Sequence, residues 1–91
     1  MAQRFFKMNK EILPPFSSVG KSLLPGSIYE HYKGQRYKII GLSRHSETLE
    51  ELVIYEALYG SHDIWARPLP MFIGTITLDG IPRPRFLKID P

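Results

Sequence analysis

Ninety-one residues, a net charge of +3 and no cysteine describe one small folded domain, too apolar for a disordered chain and without a run long enough to span a bilayer. Lacking cysteine, the chain has no disulfide, thiol catalysis or cysteine-ligated zinc, which fits a reducing compartment and makes the cytoplasm its expected location. A domain of this size buries only about 60–65% of its unfolded surface, so its core is thin and every buried ring counts.

The charge is unevenly distributed. Residues 1–26 carry Arg4, Lys7, Lys10 and Lys21 against Glu11 alone, whereas residues 27–91 carry eight cations and eight anions. Affinity for a phosphate backbone comes mainly from clustered Lys and Arg that release counterions. A neutral body therefore binds nucleic acid only if its cations gather on one face.

Residues 1–27 read as an extension and residues 28–91 as the domain proper. Phe5, Met8 and Ile12 recur at helical spacing with Lys7, Lys10 and Glu11 between them, which predicts a short amphipathic helix stopped by Pro14-Pro15. The continuous apolar stretch of a signal peptide is missing. Ser17, Ser18, Gly20, Pro25 and Gly26 give a linker composition, yet Phe16, Val19, Leu23 and Leu24 among them are costly to leave in water. The extension is expected to dock on its own domain or on a second copy, the latter giving a homo-oligomer.

From Ile28 the period changes to two. Ile28 to Tyr32 and Gln35 to Leu42 read as a hairpin about Lys33-Gly34. Leu52 to Tyr59 is a strand apolar on both faces, with Val53, Tyr55, Ala57 and Tyr59 on one side, and is expected to be central. A turn at Gly60-Ser61-His62-Asp63 leads to Ile64 to Arg67, and Pro68-Leu69-Pro70 interrupts any continuation. Phe72 to Leu78 and Arg83 to Ile89 are joined through Asp79-Gly80, a strong hairpin signal. Six short strands predict a mainly β fold, a small SH3-like antiparallel barrel that curls on itself to remove exposed edges. Tyr37, Tyr55, Trp65, Phe72 and Phe86 are expected to fill its core, with Tyr29, Tyr32 and Tyr59 at the rim.

The same residues resemble a known family. Tyr29-Glu30-His31-Tyr32-Lys33-Gly34, Tyr37, Arg44-His45-Ser46-Glu47-Thr48 with Glu51, Val53-x-Tyr55-x-x-Leu58-Tyr59-Gly60, Trp65-x-Arg67-Pro68 and Met71-Phe72 follow the order and spacing of the short bacterial proteins grouped as domain of unknown function 1653, over roughly residues 28–89. The resemblance implies an SH3-like barrel and a bacterial cytoplasmic setting. It implies no activity.

Candidate functional residues follow from chemistry alone. The polar run Arg44-His45-Ser46-Glu47-Thr48 lies between two strands, where loops on a rigid scaffold carry function. Adjacency counts against His45-Ser46 as a nucleophile beside its base, because neighbours in an extended chain point to opposite sides and each would need a partner from elsewhere. Ser46 and Thr48 are expected to cap the local backbone, Thr48 to Glu51 matching a capping box. His31, His45 and His62 share no metal-ligand spacing, so neither a metal nor a cofactor is expected. If Tyr32, Tyr59 and Trp65 converge with Arg44 and Arg67, they form a stacking platform with cationic edges, suited to a peptide, a planar small molecule or a nucleic-acid base. Otherwise Arg67 pairs with Glu47, Glu51 or Glu56 and locks a sheet edge. The leading expectation is a noncatalytic binding or adaptor module with a ligand site at Tyr32, Arg44, His45, Ser46, Glu47, Tyr59, Trp65 and Arg67. A nucleic-acid-binding barrel is the alternative, as is a small-molecule-binding protein or enzyme using His45, Glu47 and Arg67.

Overall fold

The computed structural model describes residues 13–90, and the amphipathic helix expected over Phe5, Met8 and Ile12 lies outside them. The strands β1 (Ile28–His31), β2 (Arg36–Arg44), β3 (Glu51–Ala57) and β4 (Ile64–Pro68) run as an antiparallel meander. A single turn of helix, α2 (Leu69–Phe72), then leads to the hairpin β5 (Thr75–Leu78) and β6 (Ile81–Pro84), and β7 (Phe86–Asp90) returns beside β1. The main sheet has the order β4-β3-β2-β1-β7, with β5-β6 as a separate two-stranded ribbon. The fold is mainly β, as its alternating sequence predicts.

Each element has a local cause. The β1–β2 turn uses Gly34 at φ 106°, a conformation that costs a glycine little. Asp79 and Gly80 sit at φ 51° and 75°, both positive as a two-residue type I′ hairpin requires, and they join the paired residues Leu78 and Ile81. In β2 the register slips between Ile39 and Gly41. This bulge resets the alternation, so that Ile39 faces inward opposite Tyr55 and Leu42 faces inward opposite Val53. β3 is central, with Val53, Tyr55 and Ala57 buried and the opposite face half-buried.

The chain departs from the six expected strands at its prolines. Pro68 ends β4 and Pro70 lies in the first turn of α2, where a missing N–H costs nothing, so Phe72 belongs to a helix and not to a strand. Pro82 and Pro84 keep β6 in an exposed ribbon. At Arg85 the chain bends, its N–H bonded to the Gly74 carbonyl and its carbonyl to the Tyr32 N–H, and Phe86 begins a new strand in the other sheet. Trp65 is also not a core residue: it stays 51% exposed because β4 is an edge strand.

The ladder does not close into a hydrogen-bonded barrel, since β4 and β7 are the two ends of the sheet. Rings fill the opening instead. Phe72, which follows β4, stacks on Phe86 of β7 with centroids 4.1 Å apart and planes 7° from parallel. Tyr37 and Tyr55 pack edge to face on this stack and on each other, completing a core with Leu23, Ile39, Val53, Ala57 and Leu69.

The extension packs into this core. Leu23 is only 5% exposed, and Gly26 and Ser27 pair with both backbone groups of Ile39, prolonging the pairing of β1 with β2. Ser17 caps the short helix α1 (Ser18–Lys21), its side chain accepting from the Gly20 N–H. Its own N–H and Oγ–H donate, each at 2.9 Å, to the carboxylate of Glu51 on β3. Glu51 therefore supplies, from 34 residues away, the acceptor that a capping box takes from its own first turn. The box expected between Thr48 and Glu51 does not form, as residues 46–48 make a turn in which Thr48 Oγ1 accepts from the Glu50 N–H.

A double-mutant cycle tests this clasp. Glu51→Ala and Ser17→Ala are each expected to cost about 1 kcal/mol, roughly 4–8 °C in Tm for a chain of this size, and the pair to cost clearly less than the sum. Additive losses by thermal denaturation would show that the two side chains do not cooperate.

Candidate functional site

The residues singled out from sequence occupy distinct places. Arg44, His45, Ser46 and Glu47 lie at the β2–β3 connection and are largely engaged locally. Arg44 stacks its guanidinium 4.5 Å from the Phe16 ring centre and donates to the carbonyls of Pro14 and Leu49. His45 Nδ1 accepts from the N–H groups of Glu47 and Thr48, so this ring organises its own turn. Leu49 in the same loop adopts φ 64°, a conformation where asparagine or glycine is usual.

Tyr59, Trp65 and Arg67 come together elsewhere, at the mouth where the sheet fails to close. Cross-strand pairing places Trp65 opposite Tyr55 and Arg67 opposite Val53, so both project on the side that carries the core. A cavity of about 160 Å³ opens there, lined by Tyr37, Tyr55, Trp65 and Arg67. Arg67 donates its Nε–H to the Tyr55 hydroxyl at 3.0 Å and holds its guanidinium carbon 5.5 Å from the Phe86 ring centre. Among the described residues no carboxylate lies within ion-pair distance of it. Glu51 is taken by Ser17 and Glu56 by Lys38 and His62, so the expected sheet-edge ion pair is absent. The arginine is half-buried and lines the cavity, and among the described residues its hydrogen bond uses Nε and neither outer nitrogen.

Hydroxyls finish the mouth. Tyr37 and Tyr59 share a hydrogen bond of 2.8 Å. Burial first, then this bond, pushes the Tyr37 phenol up to about 12 despite nearby Arg67. It is therefore neutral at physiological pH and serves as a hydrogen-bonding group, not as a base.

Tyr32 lies on the other side of His31, in a larger cleft of about 290 Å³ that Glu30, His31, Leu78, Arg83, Pro84 and Leu87 also line. The larger volume does not make it the better site. Five of its seven lining residues are exposed, whereas the mouth is built on core rings in fixed hydrogen bonds.

Sequence reasoning left His31 out of the candidate site, yet it lines the cleft and packs on Phe86, the ring that Arg67 of the mouth overlies. Its ring packs edge-on against Phe86 at 4.9 Å and tilts against Tyr32 at 4.4 Å. Nδ1 accepts the Lys33 N–H, leaving the proton of the neutral ring on Nε2. Burial, then the charges of Arg67, Lys33 and Arg85, hold its pKa below the ordinary histidine value. Alternation along β1 carried a signal for it, because a strand that turns Tyr29 toward Phe72 turns His31 the same way.

Among the described residues no three His, Cys, Asp or Glu side chains gather as a metal site, and no helix is long and apolar enough to cross a membrane.

Comparison with known proteins agrees with the fold. The profile of the family described as protein of unknown function (DUF1653) matches residues 27–88. The crystal structure of a DUF1653 protein from Bordetella bronchiseptica is similar at 36% identity and a TM-score of 0.65, covering 74% of this chain and 87% of that one. No curated protein matches the chain.

The environment of His31 fixes the sign of a pH effect. Its pKa is lower in the folded state than the roughly 6.5 of an unfolded chain, so the unfolded state binds more protons between those two values. The stability involved is present above about pH 6.5 and is lost as pH falls through that window. Tm is expected to drop on acidification from pH 7.5 to 5, and to drop less steeply in His31→Gln. Equal slopes for wild type and His31→Gln would reject the assignment.

Proposed function

Because the chain belongs to the family of proteins of unknown function DUF1653, we propose its role from the mouth itself: a noncatalytic binding module that presents Trp65 to a flat group and Arg67 to an anionic one. The observation that carries this reading is the state of Arg67. Its Nε–H is held by Tyr55, its face by Phe86, and no carboxylate among the described residues neutralises it. A guanidinium fixed in this way is preorganised for a two-pronged hydrogen bond to a carboxylate or phosphate. Trp65, 51% exposed beside the same cavity, offers stacking at little entropic cost. Tyr37 and Tyr59 add neutral hydroxyls at the rim.

Catalysis would require His45, Glu47 and Arg67 in one cleft. Arg67 lines the mouth, whereas His45 is bonded to its own turn and neither hollow is lined by His45 or Glu47, so binding is the favoured reading. A cytoplasmic, bacterial setting belongs to the same proposal, supported by the cysteine-free sequence and the bacterial relative.

Trp65 is the only tryptophan and reports on its own site. Titration with benzoate is expected to change its emission saturably at millimolar concentration, about −4 kcal/mol for so small a ligand, and Arg67→Met to abolish the change while retaining the fold. A signal that never saturates, or that survives in Arg67→Met, would refute the site.

A further inference from the structure

We propose that the mouth and the neighbouring cleft form one binding track for single-stranded nucleic acid, an inference that rests on the mouth being a ligand site. Residues 27–91 are neutral in sum, but the fold sorts their charges. Arg67 lines the mouth and Arg83 lines the cleft. Lys33 lies 5.8 Å from the centre of the Tyr32 ring on the cleft wall. Arg85 reaches across to the Met71 carbonyl through Nε, with its outer nitrogens not used in that bond.

Half of the eight cations thus surround the junction of the two hollows, and none has a carboxylate within ion-pair distance among the described residues. Most of the acids lie elsewhere. Glu47 and Glu50 are on the β2–β3 loop, Glu51 clasps Ser17, Glu56 is paired at the β3–β4 end, Asp63 lies in the β3–β4 turn, Asp79 in the β5–β6 turn and Asp90 at the end of β7, and of the eight only Glu30 lines the cleft. The surroundings of His31 have the same sign: beyond burial, the charges that hold its pKa down are Arg67, Lys33 and Arg85, with no acid among them.

Rings alternate with these cations. Trp65 stands beside Arg67, His31 and Phe86 form the partition, and Tyr32, 37% exposed, stands beside Lys33. Phosphates attracted to the cations would leave their bases beside aromatic faces, the arrangement by which single strands are held without sequence preference. A duplex keeps its bases stacked inside and cannot offer them to a recessed ring, so the track fits single strands. An acidic peptide would satisfy the cations and leave Trp65 and Tyr32 without partners.

The test is fluorescence anisotropy of labelled oligothymidylate with the full chain at 20 to 200 mM salt, alongside Trp65 emission, with polyglutamate as the competitor. Binding is expected at low salt with Trp65 quenching and a log–log salt slope of about −2 to −3, from three or four phosphate contacts at roughly 0.7 each. Arg67→Met and Arg83→Met should each flatten the slope by about 0.7, and Trp65→Ala should weaken binding by about tenfold, as loss of one stacked base would. Absence of binding at 20 mM salt, or equal competition by polyglutamate, overturns the track. If oligothymidylate fails while benzoate still saturates the Trp65 signal, this inference alone falls, and if both fail the mouth itself is not a site.

Discussion

The stack of Phe72 on Phe86 holds together what hydrogen bonds leave apart. One ring ends α2, the helical turn directly after β4, and the other opens β7, and these strands are the two ends of a sheet whose ladder is linear. An open five-stranded sheet of this length would bury its inner face poorly. Two parallel rings 4.1 Å apart draw its ends together and give Tyr37, Tyr55 and Tyr29 a common surface to pack on. Closure by side chains also has a geometric result: it leaves a gap where a backbone ladder would have left none, and the gap is the mouth.

The mouth is thus made by the core. Arg67 rests on the outer part of that aromatic assembly, and the hydroxyl of Tyr55, whose ring is buried, fixes its Nε. The same packing presses His31 against Phe86 beneath a ring of positive charge. Groups that line the mouth and groups that hold the fold are here largely the same residues, as happens in a domain too small to separate the two. The β2–β3 loop is a separate matter, with Arg44 and His45 spent on joining Phe16, Pro14 and the local turn.

Much of this could be read from the chain. Period-two alternation marks β1 to β4, and the Asp79-Gly80 pair fixes a hairpin to the residue, because few sequences tolerate two successive positive φ angles. What could not be read depends on position in the sheet. Trp65 has the composition of a core residue and becomes exposed only because β4 has a neighbour on one side. Phe72 sits in a stretch that reads as strand until Pro70 starts a helical turn, and Arg83 to Ile89 reads as one strand until its prolines force a change of sheet at Arg85. Within the candidate site, Tyr59, Trp65 and Arg67 were legible as aromatic and cationic residues near strand ends. Their meeting with His31, Tyr37 and Phe86 was not, since it requires contact between the first, second and last strands, a long-range pairing that local pattern does not encode.

The clasp of residues 17–27 on the sheet carries a consequence for how such proteins diverge. The recognisable family pattern begins at residue 27, yet Leu23 lies inside the hydrophobic interior and Glu51, within the pattern, is anchored by Ser17, outside it. The stretch that the family pattern covers is therefore shorter than the stretch that packs as one body. Drift upstream of residue 27 is constrained by a methyl-bearing plug and one cap, requirements so degenerate that many unrelated sequences could meet them.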